Sequence, residues 1–397
     1  MELIYFYLKN LNKHILQVIK NYLLLFIFLL SASVKAQPFT LSENAEISIL
    51  TIGPGKELYD KFGHSAIRIK DADKGVDVVF NYGVYDFATP NFYTKFAQGK
   101  LLYQLGVNYY EPFYNSYVAQ NRWIKEQVID FNKYELEAVA SFLWNNAKPE
   151  NKKYKYDFFF DNCATKVRDV LQGVFGSTLK YGDDHIEEQN SFRQLIQQNL
   201  NTNTWGSLGI DVALGAVIDR KAKPVEYQFL PNYIFMANEN ATVNRNGTPE
   251  KLVKTTNLLF QNKEVLPKSN FLTSPLFVFG IIGLLILLVT YKDFKRKTRS
   301  RYLDFSIFLI TGFIGVFLLL LWFATDHTAT ANNYNLLWAF PLSIIFMVAI
   351  VKKQLSQKLR KYIFLLILLL VLLSIHWITG VQVFAFGLLP LLIALAI

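Results

Sequence analysis

Five apolar segments occupy the last third of this 397-residue chain, and they restrict its fold more than any other feature. Each segment approaches the roughly 20 residues that a helix needs to cross about 30 Å of hydrocarbon, although the third and fourth are shorter. Inside a bilayer, only helices and closed barrels satisfy their own backbone hydrogen bonds. The sequence therefore predicts an α-helical transmembrane bundle of five spans over residues 271–397. The predicted spans are residues 272–291, 303–324, 335–351, 362–377 and 380–397.

The connections between these segments alternate in charge. The first and third, "KDFKRKTRSR" and "KKQLSQKLRK", are strongly basic, whereas "ATDHTATANNYN" contains no Lys or Arg and the fourth, around "HWITG", carries only a histidine. Because basic loops stay on the cytoplasmic side of a membrane, the neutral loops and the preceding soluble domain are expected to face outward. The net charge of +10 lies largely in the two basic loops. It therefore indicates membrane topology and gives no sign of a nucleic-acid surface.

The N-terminus is typical of an export signal. Three lysines precede or border the apolar run "YLLLFIFLLSAS", and "VKA", ending at Ala36, is a small-residue cleavage site. Residues 1–36 are therefore predicted to be a signal peptide, with an uncleaved anchor as the alternative. Residues 37–232 are predicted to form an exported soluble domain. The polar residues 233–270 are predicted to be a linker, with a short pair of strands as an alternative within it.

The soluble domain contains the only cysteine of the chain, Cys163, in "FFFDNCATKV". A lone thiol in an exported protein is either a small buried side chain or a reactive group. Apolar residues recur at helical spacing after Cys163, and Asp161 or Asn162 can cap the helix, so the thiol is expected in the first helical turn. At that position the helix dipole and the free N–H groups favour the thiolate, which is the nucleophile, and also stabilise an oxyanion.

A thiolate nucleophile needs a general base, and His64 is the strongest candidate. It stands in "KFGHSAIRIK", at the start of an alternating strand that is followed by the turn "DADKG" and a second strand. The alternative is a core histidine satisfied by the backbone. On the second strand, Asn81 is expected to orient the imidazole as the third member of a triad. His185 is predicted to be a solvated loop residue, and no ligand spacing indicates a metal site or another cofactor.

Two motifs, "GHSAIRI" and "DNCATKV", resemble the circularly permuted papain-like superfamily, in which the histidine strand precedes the cysteine helix. This superfamily includes NlpC-type proteins and the lecithin:retinol acyltransferases, and the resemblance implies an α+β domain. With "FNYGVYDF", "YVAQNRW", "GIDVALGAVIDR" and "TDHTATANNYNLLW", the whole layout resembles the Lnb family of lipoprotein N-acyltransferases. The chain departs from the family pattern at "DHTAT", where a His-Pro-like sequence is expected.

The Lnb resemblance implies transfer of an acyl chain from a phospholipid to the α-amine of a diacylglyceryl-cysteine on a lipoprotein. In the implied mechanism His64 takes the thiol proton, Cys163 attacks the ester to form a thioester, and the lipoprotein amine resolves it. The expected partners are a phospholipid donor, a diacylated lipoprotein acceptor and membrane lipid, without nucleic acid. The implied location is the bacterial inner membrane, crossed several times, with the soluble domain in the periplasm.

Six further polar residues are candidates to bind substrate, and each has an ordinary structural alternative as an ion pair, a helix cap or an interfacial residue. The two arginines are candidates to hold phosphate, and the other four lie on the outward side of the bundle. The six are Arg122, Arg168, Asp326, His327, Asn335 and His376.

Two other functions remain open at the level of the sequence. A hydrolase, such as a lipid deacylase or a peptidoglycan amidase, would use the same Cys–His pair but would pass the acyl group to water. Five spans argue against an enzyme of the cell wall. In a non-catalytic sensor or assembly module the thiol would have no chemical role, and Cys163→Ser would then leave the function unchanged.

Overall fold

The computed structural model of the chain describes residues 17–22, 40–263 and 270–397. The predicted signal peptide, residues 1–36, lies outside the described residues except for 17–22, which are helical. Residues 40–263 form a domain of mixed helix and sheet, and residues 270–397 are mainly helical. This order confirms the predicted succession of an α and β domain and a helical domain.

One antiparallel sheet of seven strands forms the centre of the domain. In residues 40–263 the strands are β1 (Glu46–Ile52), β2 (His64–Asp71), β3 (Val76–Val84), β4 (Leu102–Tyr109), β5 (Ile124–Ile129), β6 (Lys153–Lys155), β7 (Leu179–Lys180), β8 (Thr242–Arg245), β9 (Thr248–Lys251) and β10 (Val253–Phe260). The order in the main sheet is β10–β5–β1–β2–β3–β4–β6, and β7, β8 and β9 form a second, smaller sheet. Strands β1 and β2 are almost continuously buried because both faces of the sheet are covered.

Helices cover the sheet and bring the cysteine to the histidine strand. In residues 40–263 they are α1 (Phe92–Ala97), α2 (Tyr110–Ala119), α3 (Lys133–Asn146), α4 (Cys163–Phe175), α5 (Phe192–Gln198), α6 (Trp205–Ala213) and α7 (Pro231–Glu239). Helix α4 packs across β2 and β3, with α3 beside it. Helix α2 contributes Phe113 to a core with Leu50, Ile52 and Ala66 of the central strands. The first residues of β2 and α4 therefore meet.

The structure corrects the predicted linker over residues 233–270. Helix α7 extends to Glu239, and β10 pairs with β5 at the edge of the main sheet. The hairpin of β8 and β9 is the strand pair that the sequence allowed in this segment. Strand β10 is exposed along most of its length. Its sequence therefore lacks the alternation of apolar and polar residues that marks a half-buried strand, and it is typical of a linker. The folded domain therefore extends to residue 260 instead of residue 232.

The C-terminal part contains three helices that are long and apolar enough to cross a membrane. Its helices are α8 (Pro275–Arg296), α9 (Arg301–Phe323), α10 (Ser343–Ile350), α11 (Gln357–Ile378) and α12 (Leu389–Ala396). The three long ones, α8, α9 and α11, match the first, second and fourth predicted spans. In the third predicted span, Pro341 prevents a continuous helix because it lacks a backbone donor. The fifth has only the short α12, which follows an irregular stretch.

Loop positions in the bundle follow the predicted alternation of charge. The two basic loops meet at one end, where the Arg299 guanidinium donates to the carbonyl group of Lys352. The two neutral loops lie at the opposite end and contact the domain, to which Asn333 and the Val383 N–H donate hydrogen bonds. The domain therefore lies at the end of the bundle that carries no basic loop.

Candidate active site

Cys163 is the first residue of α4, and Asn162 fixes its position. Asn162 Oδ1 accepts hydrogen bonds of 2.9 Å from the N–H groups of both Ala164 and Thr165. Thr165 Oγ1 accepts in return from the Asn162 N–H at 2.7 Å, which completes a capping box. Of the two caps that the sequence left open, Asp161 and Asn162, the structure selects Asn162. The thiol therefore lies in the first helical turn.

His64 is the first residue of β2 and lies beside the thiol. Because Ile67 pairs with Phe80, the strand register places His64 and Asn81 on the same face of the sheet. His64 Nε2 donates to Asn81 Oδ1 at 2.7 Å, which leaves Nδ1 as the ring nitrogen for the thiol. The imidazole and Cys163 are hydrogen-bonded to each other. The structure thus brings the three predicted catalytic residues together as a Cys–His–Asn triad.

Opposite charges stabilise each other in this pair. Burial by itself lowers the pKa of His64, but the charge of Cys163 and hydrogen bonds to Cys163 and Asn81 outweigh it and raise that pKa. Burial by itself raises the pKa of Cys163, but the charge and hydrogen bond of His64, with the N–H groups of Ser65 and Ala164, lower that pKa below its usual value. Both shifts act in the direction of a thiolate and an imidazolium.

The substitution His64→Gln is expected to raise the pKa of Cys163, because the positive charge disappears while the thiol stays buried. Only the thiolate reacts with iodoacetamide, so the rise of the alkylation rate with pH should move to higher pH. The measurement is the alkylation rate of the full-length protein in detergent between about pH 5 and pH 10. His185→Gln, whose ring does not line the cavity of Cys163, is the matched control. Identical profiles for the two variants would contradict the ion pair.

A cavity of about 700 Å³ extends from Cys163 and His64. Ten of its lining residues are aromatic, among them Tyr103, Tyr156 and Phe158. Within the described residues, no three His, Cys, Asp or Glu side chains are grouped as metal ligands. A largely apolar cavity of this size, with a few polar groups in its wall, is suited to an organic ligand with a long apolar part.

The membrane bundle supplies one wall of this cavity. Asp326 and His327, in the neutral loop after α9, both line it. Asp326 accepts a hydrogen bond of 2.8 Å from Lys155 Nζ, and the hydroxyl group of Thr328 donates to Asp157 at 2.8 Å. Two of the predicted loop residues thus belong to the same cavity as the thiol.

Arg122 is buried in another part of the wall, with 4% of its surface exposed. Its Nε donates to the carbonyl group of Gly53 at 2.7 Å, and its Nη1 lies 3.7 Å from Asp60, which is longer than a hydrogen bond. Among the described residues, Nη2 has no hydrogen-bond partner. A buried guanidinium with an unfilled donor is suited to an anionic group of a ligand.

The three other predicted substrate-binding residues do not line the cavity. Arg168 forms an ion pair of 2.7 Å with Asp169. Asn335 is fully buried, and its amide donates to the carbonyl group of Asp211, so it attaches the bundle to the domain. His376 Nδ1 contacts a carbonyl group four residues earlier in α11. The three residues therefore lie outside the cavity of the thiol, and a role for them in binding substrate stays a prediction.

Some contributors to the site carry little signal in the sequence. The Ser65 N–H contacts the Cys163 sulfur, and a backbone group cannot be identified from residue type. Tyr117 stacks against His64 with ring centroids 6.2 Å apart, from a helix that is distant in sequence. Asp60 faces Arg122. In the sequence, only its position shortly before His64 indicates that Asp60 belongs to the site.

Two family models match the chain, one in each part. The model of the Lnb N-terminal periplasmic domain matches residues 37–198, and the model of the Lnb transmembrane domain matches residues 267–397. The first range contains the whole triad. No curated protein and no solved structure matches the chain. The two matches confirm the resemblance seen in the sequence: the chain belongs to the Lnb family, as a membrane protein of lipoprotein N-acyltransferase type with a periplasmic domain.

Proposed function

We propose that this protein moves an acyl chain from a phospholipid to the α-amine of the diacylglyceryl-cysteine of lipoproteins, through a thioester on Cys163. The observation that carries the proposal is the triad of Cys163, His64 and Asn81 at an aromatic cavity whose wall includes the membrane bundle. An activated thiol at the junction of domain and bundle can reach an ester whose acyl chains remain in the membrane.

In the first half-reaction, the Cys163 thiolate attacks the carbonyl carbon of a phospholipid ester. The negative charge moves to the carbonyl oxygen. The Cys163 N–H at the start of α4 can donate a hydrogen bond to this oxygen, because within the described residues that N–H has no other acceptor. When the carbon–oxygen bond breaks, the His64 imidazolium gives its proton to the leaving alkoxide. The products are a Cys163 thioester and a lysophospholipid.

In the second half-reaction, the lipoprotein amine attacks the thioester carbonyl. His64, now neutral, takes the proton of the amine as the carbon–nitrogen bond forms and the thiolate leaves. The products are an N-acyl amide and the restored thiolate–imidazolium pair. Asn81 keeps the imidazole oriented through its hydrogen bond to Nε2 in both halves.

The wider arrangement is part of the proposal. We infer that all five apolar segments cross the bacterial inner membrane and that the domain has a circularly permuted papain-like fold. The third segment supports five crossings, because its ends lie at the domain end of the bundle and at the basic loops, although α10 itself is short. Asp326 and His327 are proposed to hold the head group or the lipoprotein against the thiol.

Arg122→Gln is expected to raise the KM for phospholipid about 10- to 100-fold, because a charge-assisted hydrogen bond to the lipid phosphate is lost. The measurement is acyl transfer at varied donor concentration, with a phospholipid and with an uncharged fatty-acyl p-nitrophenyl ester. The ester carries no phosphate and serves as the control, so its KM should change by less than about threefold. Equal losses with both donors would show that Arg122 does not bind phosphate.

The proposal is tested by incubating purified full-length protein with phospholipid and measuring its intact mass. The expected result is an increase of one acyl chain that hydroxylamine removes, followed by its transfer to a diacylated lipopeptide with a free amine. Release of free fatty acid in the presence of excess lipopeptide would identify a hydrolase instead. If no adduct forms and the lipopeptide remains unmodified, the acyltransferase proposal is wrong.

A further inference from the structure

An aromatic surface borders the candidate active site. Its side chains, which we call the aromatic rim, are Tyr85, Phe87, Phe92, Tyr93 and Phe96. The Phe87 ring contacts the rings of Tyr85 and Phe92, with centroids 5.0 and 4.8 Å apart. Phe87 is 67% exposed and Tyr93 79% exposed. A contiguous aromatic surface of this kind is uncommon on a domain surrounded by water and marks a contact with a partner or a membrane.

The chain directly after the rim is attached to the end of a membrane span. The Asp326 N–H donates to the carbonyl group of Gln98 at 2.8 Å, and His327 Nε2 contacts the carbonyl group of Ala97 at 3.2 Å. Asp326 follows the last residue of α9, Phe323, by three positions. Three residues extend over at most about 11 Å, so this attachment lies within that distance of the end of the span. The chain that follows the rim is therefore attached close to the end of this predicted span.

The rim also borders the cavity of the thiol. Tyr85 and Phe96 line the cavity and are exposed at the same time, so they mark where it opens. Tyr103, inside the cavity, contacts Tyr85 with ring centroids 5.6 Å apart. A continuous aromatic surface thus leads from the exposed rim toward Cys163.

We propose that the aromatic rim is immersed in the outer-leaflet interface of the membrane that the bundle spans, and that acyl chains of phospholipids pass along it into the cavity. Aromatic side chains favour the boundary between head groups and hydrocarbon, and Lys95, between the rim residues of α1, can reach the phosphates. The route of the acyl chain rests on the proposed function, whereas the immersion of the rim stands on the geometry alone.

Spin labelling tests the immersion directly. Cys163→Ser removes the only cysteine of the chain, so Phe87→Cys in that background carries a single nitroxide label in the full-length protein. In vesicles of phosphatidylethanolamine and phosphatidylglycerol, the label at residue 87 should collide more with oxygen than with a water-soluble nickel complex. Tyr134→Cys in the same background is the matched control, because Tyr134 is 84% exposed on α3, and it should show the opposite preference. The same preference at residues 87 and 134 would overturn the immersion.

A kinetic experiment tests the route. Phe87→Ser combined with Tyr93→Ser, with Cys163 intact, should lower the ratio of transfer from vesicle phospholipid to transfer from a water-soluble short-chain phospholipid about tenfold. An unchanged ratio would overturn the route along the rim. If the wild-type protein transfers no chain from either donor, the proposed function fails, while the spin-label result still decides the immersion.

Discussion

Cys163→Ala is expected to lower the rate of acyl transfer at least about a thousandfold, because the substitution removes the nucleophile that forms the covalent intermediate. His64, Asn81 and Arg122 remain in place, so substrate still binds but the two half-reactions lose their shared thioester. The measurement is the transfer of a labelled acyl chain from phospholipid in nanodiscs to a diacylated lipopeptide, followed by mass spectrometry.

The control for this result lies on the same helix. Gln172 is exposed on α4, and Gln172→Ala should transfer acyl chains at the wild-type rate. The melting temperatures of both variants should stay near that of the wild type, since the side chain of Cys163 is small and its loss costs about 1 kcal/mol. Transfer by Cys163→Ala within tenfold of the wild-type rate would exclude the thioester. The polar residues on the loops of the bundle would then be the next candidates for the catalytic groups.

Arg193→Leu is expected to lower the free energy of unfolding by about 3–5 kcal/mol, because it leaves buried charges without a partner. Arg193 is fully buried and forms ion pairs of 3.0 Å with Asp211 and 2.9 Å with Asp219. It also donates to the carbonyl groups of Leu214 and Gly215. Leucine fills much of the same volume but satisfies none of these groups. The measurement is chemical unfolding of the full-length protein in detergent.

The loss of stability should depend on pH in a definite direction. Burial raises the pKa of both Asp211 and Asp219, against the effect of Arg193. Without Arg193 these pKa values rise further above those of the unfolded chain, so the folded variant binds more protons and loses stability as pH rises. The difference from wild type should therefore be smaller at about pH 5 than at about pH 8. A difference that is the same at both values would contradict the buried-charge explanation.

Arg220 is the control that distinguishes the loss of the buried ion pairs of Arg193 from the loss of any positive charge. Arg220 forms an ion pair of 2.6 Å with Glu226, and its side chain is 47% exposed. Arg220→Leu should change the free energy of unfolding by less than about 1 kcal/mol, because exposed ion pairs contribute little. Equal effects of Arg193→Leu and Arg220→Leu would show that the buried cluster is not what holds this part of the domain.

The positions of the three proposed catalytic residues could be predicted because their signals are local. A capping residue before an amphipathic helix places Cys163 in its first turn, and the two-residue period of a hairpin places Asn81 beside His64. The positions of the three long spans follow from the length and polarity of single segments in the same way. Each of these inferences needs only a short stretch of sequence and a known backbone geometry.

The rest of the site depends on contacts between distant segments, which a single sequence does not reveal. Tyr117 and Thr328 reach the cavity from a helix of the domain and a loop of the bundle. Both lie in motifs that carry the family resemblance, but nothing in either motif shows that these two side chains meet the cavity of the thiol. Asn335 resembles a polar ligand in sequence, yet its amide is used to join bundle and domain. Strand β10 joins the sheet through main-chain hydrogen bonds, which are largely independent of side-chain polarity.

One contact between domain and bundle is made by the main chain alone. The Gly215 N–H donates to the carbonyl group of Ala329, and a Cβ atom at Gly215 would overlap the carbonyl oxygen of Ala331. A side-chain substitution cannot replace such a contact, because it depends on the positions of the two main chains. The two halves of the chain are therefore fitted to each other at this point. A recombinant that joins this domain to another bundle is expected to fold only where that bundle keeps the backbone path of Ala329 to Ala331 beside Gly215.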